Sequence, residues 1–194
     1  MRRNAILLVC GLVLIACQRD LSQFDYLLTP QISTKPSQKM LVVEVKGDPN
    51  TAGKEAFGQL FKSFYALKKE YRTIKMAPPR GRWLFSFDKP KEEWIGKFAL
   101  PLSNEIEQLP QSEKISPNVR LETWYGGEVA EILHLGPYGE ETPTIEKLMA
   151  FIEAQDYQIS GDHEEEYLKG PGIFSKGNPR KYRTIIRYEV TPKN

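Results

Sequence analysis

The 194-residue chain is 40% hydrophobic and 27% charged, which suits one domain with a real core and excludes a disordered or fibrous polypeptide. Its 27 Lys and Arg face 25 Asp and Glu, and the only charges in the first sixteen residues are Arg2 and Arg3, so the rest carries 25 of each sign. A neutral, interspersed balance lacks the basic excess of a nucleic-acid binder, and no nucleic-acid partner is expected.

Arg2 and Arg3 precede an apolar run from Ala5 to Ala16 that is too short to span a bilayer as a mature helix. A basic start and a short apolar core form the layout of a secretory signal. The run ends Leu14-Ile15-Ala16-Cys17, which resembles the lipobox of bacterial lipoproteins. That resemblance implies a signal peptide over residues 1–16, acylation of Cys17, and a protein held on a membrane of the bacterial cell envelope by its lipid anchor. Cys10 lies inside the apolar segment, so Cys17 is the one thiol expected after cleavage, and no disulfide framework is possible.

Residues 17–39 read as a polar tether, with Pro30 and Pro36 and no sustained period. The domain is expected over 40–194. Met40 to Lys46 is β-branched and apolar enough for a strand, and Gly47-Asp48-Pro49-Asn50 breaks it. Phe57, Leu60, Phe61, Phe64 and Leu67 then recur at steps of three and four, the stripe of a helix lying on a sheet. Tyr65 falls beside that stripe. Strands are expected at Trp83 to Phe87, with Trp83, Phe85 and Phe87 on one face, and at Glu93 to Leu102, with Trp94, Phe98 and Leu100 together.

The second half repeats the layout. Leu121 to Leu135 reads as a strand interrupted at Gly126-Gly127, and Gly136-Pro137-Tyr138-Gly139 stands where Gly47-Asp48-Pro49-Asn50 stood before. Thr142 is a candidate N-cap for a helix buried through Ile145, Leu148, Met149 and Ile152. Strands Tyr157 to Leu168 and Lys181 to Thr191 follow. Two strand-helix-strand-strand modules side by side predict an α+β fold: one antiparallel, roughly eight-stranded sheet with two main helices and a pseudo-twofold axis. Such an axis leaves a cleft between the halves for a small ligand.

His134-Leu135-Gly136-Pro137-Tyr138, the helix after it, and His163-Glu164-Glu165-Glu166-Tyr167-Leu168 resemble the GyrI-like small-molecule-binding domain. In that family one strand ends H-x-G-P-Y and a later one reads E-x-Y-L. The first half, through Gly47-Asp48-Pro49-Asn50 and Tyr65-Ala66-Leu67-Lys68, is similar to the branch that hydrolyses cyclopropane-containing genotoxins. The resemblance implies a small hydrophobic or cationic ligand in the cleft, with Glu165 as the pocket acid and Tyr167 beside it.

Alternation along a strand sends Glu165 one way and Glu164 and Glu166 the other. The expected ligand-binding set is Glu165, Tyr167, Trp83, Phe85, Trp94, Tyr65 and Tyr138. In a hydrolase Glu165 would activate water, Tyr167 or Tyr65 would orient the substrate, and Trp83 or Trp94 would stack on it. A third reading, haem binding of the SOUL type, would take His134 or His163 as axial ligand. Otherwise no cofactor is expected, and two histidines without a spaced carboxylate set make no metal site.

Overall fold

The computed structural model describes residues 20–47, 49–84, 90–171 and 177–193. The signal segment, Cys17 and Phe85 lie outside them. The strands are β1 (Gln31–Lys35), β2 (Gln38–Lys46), β3 (Arg80–Leu84), β4 (Ile95–Pro101), β5 (Val119–Trp124), β6 (Gly127–Leu135), β7 (Tyr157–Lys169) and β8 (Arg183–Pro192), with helices α1 (Pro49–Glu70) and α2 (Thr142–Ala154). They form one antiparallel eight-stranded sheet in the order β1-β6-β8-β7-β3-β4-β2-β5. The α+β fold read from the sequence is the one observed.

The order displays the duplication. Each module places its first strand outermost, its last in the middle and its second at the centre, so β6-β8-β7 and β3-β4-β2 are related by a pseudo-twofold axis between β7 and β3. The local chemistry repeats too. Gly47 and Gly136 follow the first strand of each module at φ 130° and 138°, a region closed to most side chains. The Gly47 amide donates to the Trp94 carbonyl at 2.9 Å and the Gly136 amide to that of Tyr182 at 3.2 Å, each acceptor being the residue before its module's last strand.

Both helices cover the same face. Leu60, Phe64 and Leu67 of α1 are fully buried against Leu41, Val43, Phe98 and Leu100 of the sheet. Leu148 and Ile152 of α2 pack on Ile132, Ile186, Tyr188 and Val190. Full burial of each such side chain contributes about 1.5–3 kcal/mol, so the spacing of three and four is what fixes the helices to the sheet.

Two expectations need correction. The segment assigned to the tether is part of the domain: Ser22–Leu28 is a 3-10 helix, and β1 pairs with β6 from Gln31↔Glu131 to Lys35↔Gly127. Polar composition concealed an edge strand, whose outer side needs no apolar residues. Second, the region read as one interrupted strand is two. β5 pairs with β2, whereas β6 pairs with β1 and β8, six places away in the sheet.

Only Tyr125 and Gly126 separate β5 from β6, and only Pro36 and Ser37 separate β1 from β2. Links so short are possible because the sheet curls until these corners meet. The Gly126 amide donates to Ser37 Oγ at 3.0 Å, and a Cβ on Gly126 would lie 2.2 Å from the Lys35 carbonyl oxygen.

The face without helices holds a buried ion network. Arg187 on β8 donates to Glu164 at 2.9 Å, Glu166 at 3.0 Å and Glu131 at 3.2 Å. Arg82 adds a 2.7 Å bond to Glu164, and its guanidinium stacks 4.2 Å from the Trp124 ring centroid. This network accounts for two of the three consecutive glutamates and leaves Glu165 to the helix-covered face.

Candidate functional site

Glu165 and Tyr167 point together between the helices, as alternation along β7 requires. Glu165 is 9% exposed. Its Oε1 lies 2.8 Å from His163 Nε2, and His163 Nδ1 lies 3.0 Å from the Tyr188 hydroxyl on the neighbouring strand. In the β3–β7 ladder Gly81 is opposite Glu165 and Trp83 is opposite His163. A Cβ on Gly81 would lie 2.7 Å from the Tyr167 hydroxyl, so the missing side chain makes room for the phenol.

Aromatic rings from both modules surround the acid. Phe57 of α1 meets Tyr167 edge to face at a centroid distance of 5.9 Å and Phe98 of β4 at 4.8 Å. Tyr138, just beyond β6, meets Tyr167 at 5.6 Å and Tyr182 at 5.3 Å. Trp83 stands edge-on to Phe98 at 5.2 Å. The belt runs from α1 across the central strands to the turn preceding α2.

A second buried carboxyl feels the charge of the first. Glu141 occupies the N-cap position of α2, assigned to Thr142 on sequence, yet its side chain makes no capping bond. It is 7% exposed, with Oε1 buried and unbonded among the described residues. Burial foremost, and then the charge of Glu165, pushes its pKa up to about 9. The Tyr167 phenol is raised well above its usual range by burial and then by Glu165, and burial likewise raises Tyr138. Tyr138, Glu141 and Tyr167 therefore all hold their protons more tightly than in water.

The expected site residues do not all assemble. Glu165, Tyr167 and Tyr138 come together, with Trp83 alongside as a core residue only 7% exposed. Trp94 is half-buried just before β4, where its carbonyl accepts from Gly47, and Tyr65 is 58% exposed on the outside of α1 against Phe64. Glu141, Phe57, Tyr182 and Tyr188 were not singled out on sequence. Nothing in the local sequence ties Glu141 to Glu165; only the fold brings its carboxyl under the influence of that charge. His134 bonds Thr144 Oγ1 at 2.9 Å and the Pro137 carbonyl at 3.2 Å, which fixes the turn into α2. No group of three metal-ligating side chains occurs among the described residues.

The family model of the GyrI-like small molecule binding domain matches residues 28–188. The chain belongs to the GyrI-like family. The match begins within the segment assigned to the tether on sequence, in agreement with β1 being part of this GyrI-like domain.

Among solved structures, an uncharacterized conserved protein from Listeria innocua is similar at TM-score 0.69 and 23% identity, covering 84% of this chain and 93% of that one. A hydrolase from Listeria innocua gives 0.68 and 22%, covering 84% and 92%. The EcmrR C-terminal domain gives 0.64 and 13%, covering 84% and 97%. At these identities the likeness concerns the fold. No curated protein matches the chain.

Proposed function

We propose that the GyrI-like domain binds a small hydrophobic molecule bearing positive charge in the cleft beside Glu165, and that Cys17 carries the lipid that holds it in the bacterial envelope. The observation carrying this reading is a buried carboxylate ringed by Phe57, Tyr138, Tyr167 and Trp83, from elements of both modules. A desolvated carboxylate attracts a cation strongly, and aromatic faces add both apolar area and their quadrupole. Among the described residues no Arg or Lys pairs with Glu165, which His163 orients, and the arginine partners of β7 lie on the other face.

The test is fluorescence titration of the purified chain with a dansyl-linked alkylammonium. A charge-assisted contact contributes about 1.5–3 kcal/mol, so Glu165→Gln should weaken binding by about tenfold to a hundredfold while the circular dichroism is unchanged. Equal affinity in the variant would rule the site out. Metabolic labelling with a fatty-acid analogue, lost in Cys17→Ala, tests the anchor.

A hydrolase reading draws on a separate observation, two buried carboxyls in electrostatic contact, one of which holds its proton. Glu141 holds its proton up to about 9, beside the Glu165 charge. Water activated by Glu165 would bond to a carbon of a strained ring as its proton passed to that carboxylate. The electron pair of the breaking C–C bond would end on the departing carbon, protonated by Glu141. Incubation with a cyclopropane-bearing electrophile should then give a water adduct with the wild type and none with Glu165→Gln; an intact compound with the wild type leaves binding alone.

A further inference from the structure

The geometry points to a lipid-docking face at the sheet end that carries the 3-10 helix Ser22–Leu28, which presents the ligand cleft to the membrane interface. This rests on the acylation of Cys17 proposed above. Five residue steps from Cys17 to Ser22 can span at most about 18 Å. The 3-10 helix is itself fixed to the domain. Leu27 is 1% exposed in a cluster with Leu133 and Ile185, flanked by Phe24 and Leu168. Arg183 Nη1 binds Asp25 at 2.6 Å and the Leu21 carbonyl at 3.2 Å. An anchored Cys17 therefore cannot let the domain swing freely; it holds one end of the sheet near the headgroups.

That end is dressed for contact with lipid. Of eight exposed large hydrophobic residues among the described ones, Tyr26 at 59%, Leu28 at 44% and Leu135 at 49% stand there. Tyrosine and leucine beside a headgroup layer bury apolar surface while the phenol stays wet. Lys147 reaches across to the Leu28 carbonyl at 3.1 Å, and Lys169, Arg180 and Lys181 are exposed nearby without an ion pair among the described residues. With Arg183 spent on Asp25, these four bases outnumber Asp20, Glu140 and Glu146, which suits an anionic surface.

The aromatic residues around Glu165 lie toward the same strand ends. Tyr138 follows β6, Tyr182 precedes β8, and Tyr167 pairs with Thr184 two places before the end of β7. A molecule that is both hydrophobic and cationic concentrates in the headgroup layer, and a cleft held there meets it at its highest concentration. The ligand class that follows is a membrane-partitioned amphiphile rather than a freely soluble metabolite.

The test is spin-label depth measurement on full-length protein, processed and reconstituted into vesicles of three parts phosphatidylethanolamine to one part phosphatidylglycerol. With Cys17 acylated, single-cysteine variants Tyr26→Cys, Leu28→Cys, Tyr125→Cys and Ile159→Cys each accept one label. Tyr125 just precedes β6 and Ile159 is the third residue of β7, both at the opposite ends of those strands. Labels at positions 26 and 28 should gain accessibility to oxygen and lose it to an aqueous nickel chelate, and labels at 125 and 159 should stay aqueous. Aqueous labels at all four positions on protein whose Cys17 carries the acyl mass would overturn the docking face alone. Absence of that mass would overturn the anchor and this inference together.

Discussion

One imidazole joins a phenol to a carboxylate at the centre of the sheet: His163 Nε2 is 2.8 Å from Glu165 and Nδ1 is 3.0 Å from the Tyr188 hydroxyl. The carboxylate accepts, so Nε2 carries the proton and Nδ1 accepts from Tyr188, whose own pKa is pushed up to about 12 by burial and then by Glu165. The chain of donors runs from phenol to ring to acid. Nitrogen-15 spectra of the neutral ring should show the Nε2–H tautomer. Tyr188→Phe should destabilise the fold by about 1 kcal/mol and mix the tautomers. An Nδ1–H ring in the wild type would reverse the order.

Glu141 makes pH a variable of both stability and binding. Folding raises its pKa from 4.5 to about 9, so the folded state keeps a proton that the unfolded chain releases in that window. Stability is therefore withdrawn as pH climbs from about 4.5 towards 9, while below 4.5 both states are protonated and the residue contributes nothing. Glu141→Gln should flatten the melting temperature between pH 5 and 9, and an undiminished slope would count against the assignment. A bound cation favours the ionised form, so calorimetry at pH 7.5 in buffers of differing ionisation heat should detect proton release in the wild type and little in Glu141→Gln.

The ion network on the opposite face sets the stability of the central strands. Burial alone would raise the Glu164 carboxyl, but Arg187, Arg80 and Arg82 outweigh it and hold it below the ordinary range. Its stabilisation is present above pH about 4.5 and is lost as pH falls through the folded pKa. Arg187→Met strands Glu131, Glu164 and Glu166 without their shared cation and should cost about 3–5 kcal/mol in urea unfolding at pH 7. At pH 3.5 the difference should shrink, because protonated carboxyls no longer need the partner. A pH-independent cost would mean that packing, not charge, is what Arg187 supplies.

Periodicity reveals what is buried on one side only. The α1 stripe, the α2 stripe and the alternation of β7 and β8 each have an apolar face against the core and a polar face elsewhere, and all could be read from residue spacing. That Glu165 and Tyr167 share a face follows from the same spacing, since i and i+2 on a strand do, whereas their place in a ligand site came from the GyrI-like resemblance. Glu141 was not, because its significance comes from proximity to a residue twenty-four places away. The ion network was hidden because its two signs, drawn from β3, β6, β7 and β8, resemble solvated charge in each strand taken alone. Tyr65 misled because helical spacing fixes an angular position but not how far the sheet extends beneath it.

The segment from Ser22 to Lys35 was the least legible part of the fold. Its apolar content is small, yet Leu27 fills the helix-free face where β6 and β7 end and β8 begins, and β1 covers the outer edge of β6. An uncovered β6 would present a row of free backbone groups to other chains. Leu27→Ala leaves a cavity between Leu133 and Ile185 and should destabilise by about 2–4 kcal/mol, measured by urea unfolding. A spacer residue changed in the same way would move the midpoint by nothing measurable. Hydrogen exchange sharpens the contrast: in the wild type the amides of β1 should be protected with those of β6, and in Leu27→Ala both should exchange faster while α1 is unaffected. Unchanged stability together with unprotected β1 amides would return the segment to the role of a tether and detach the docking face from the domain.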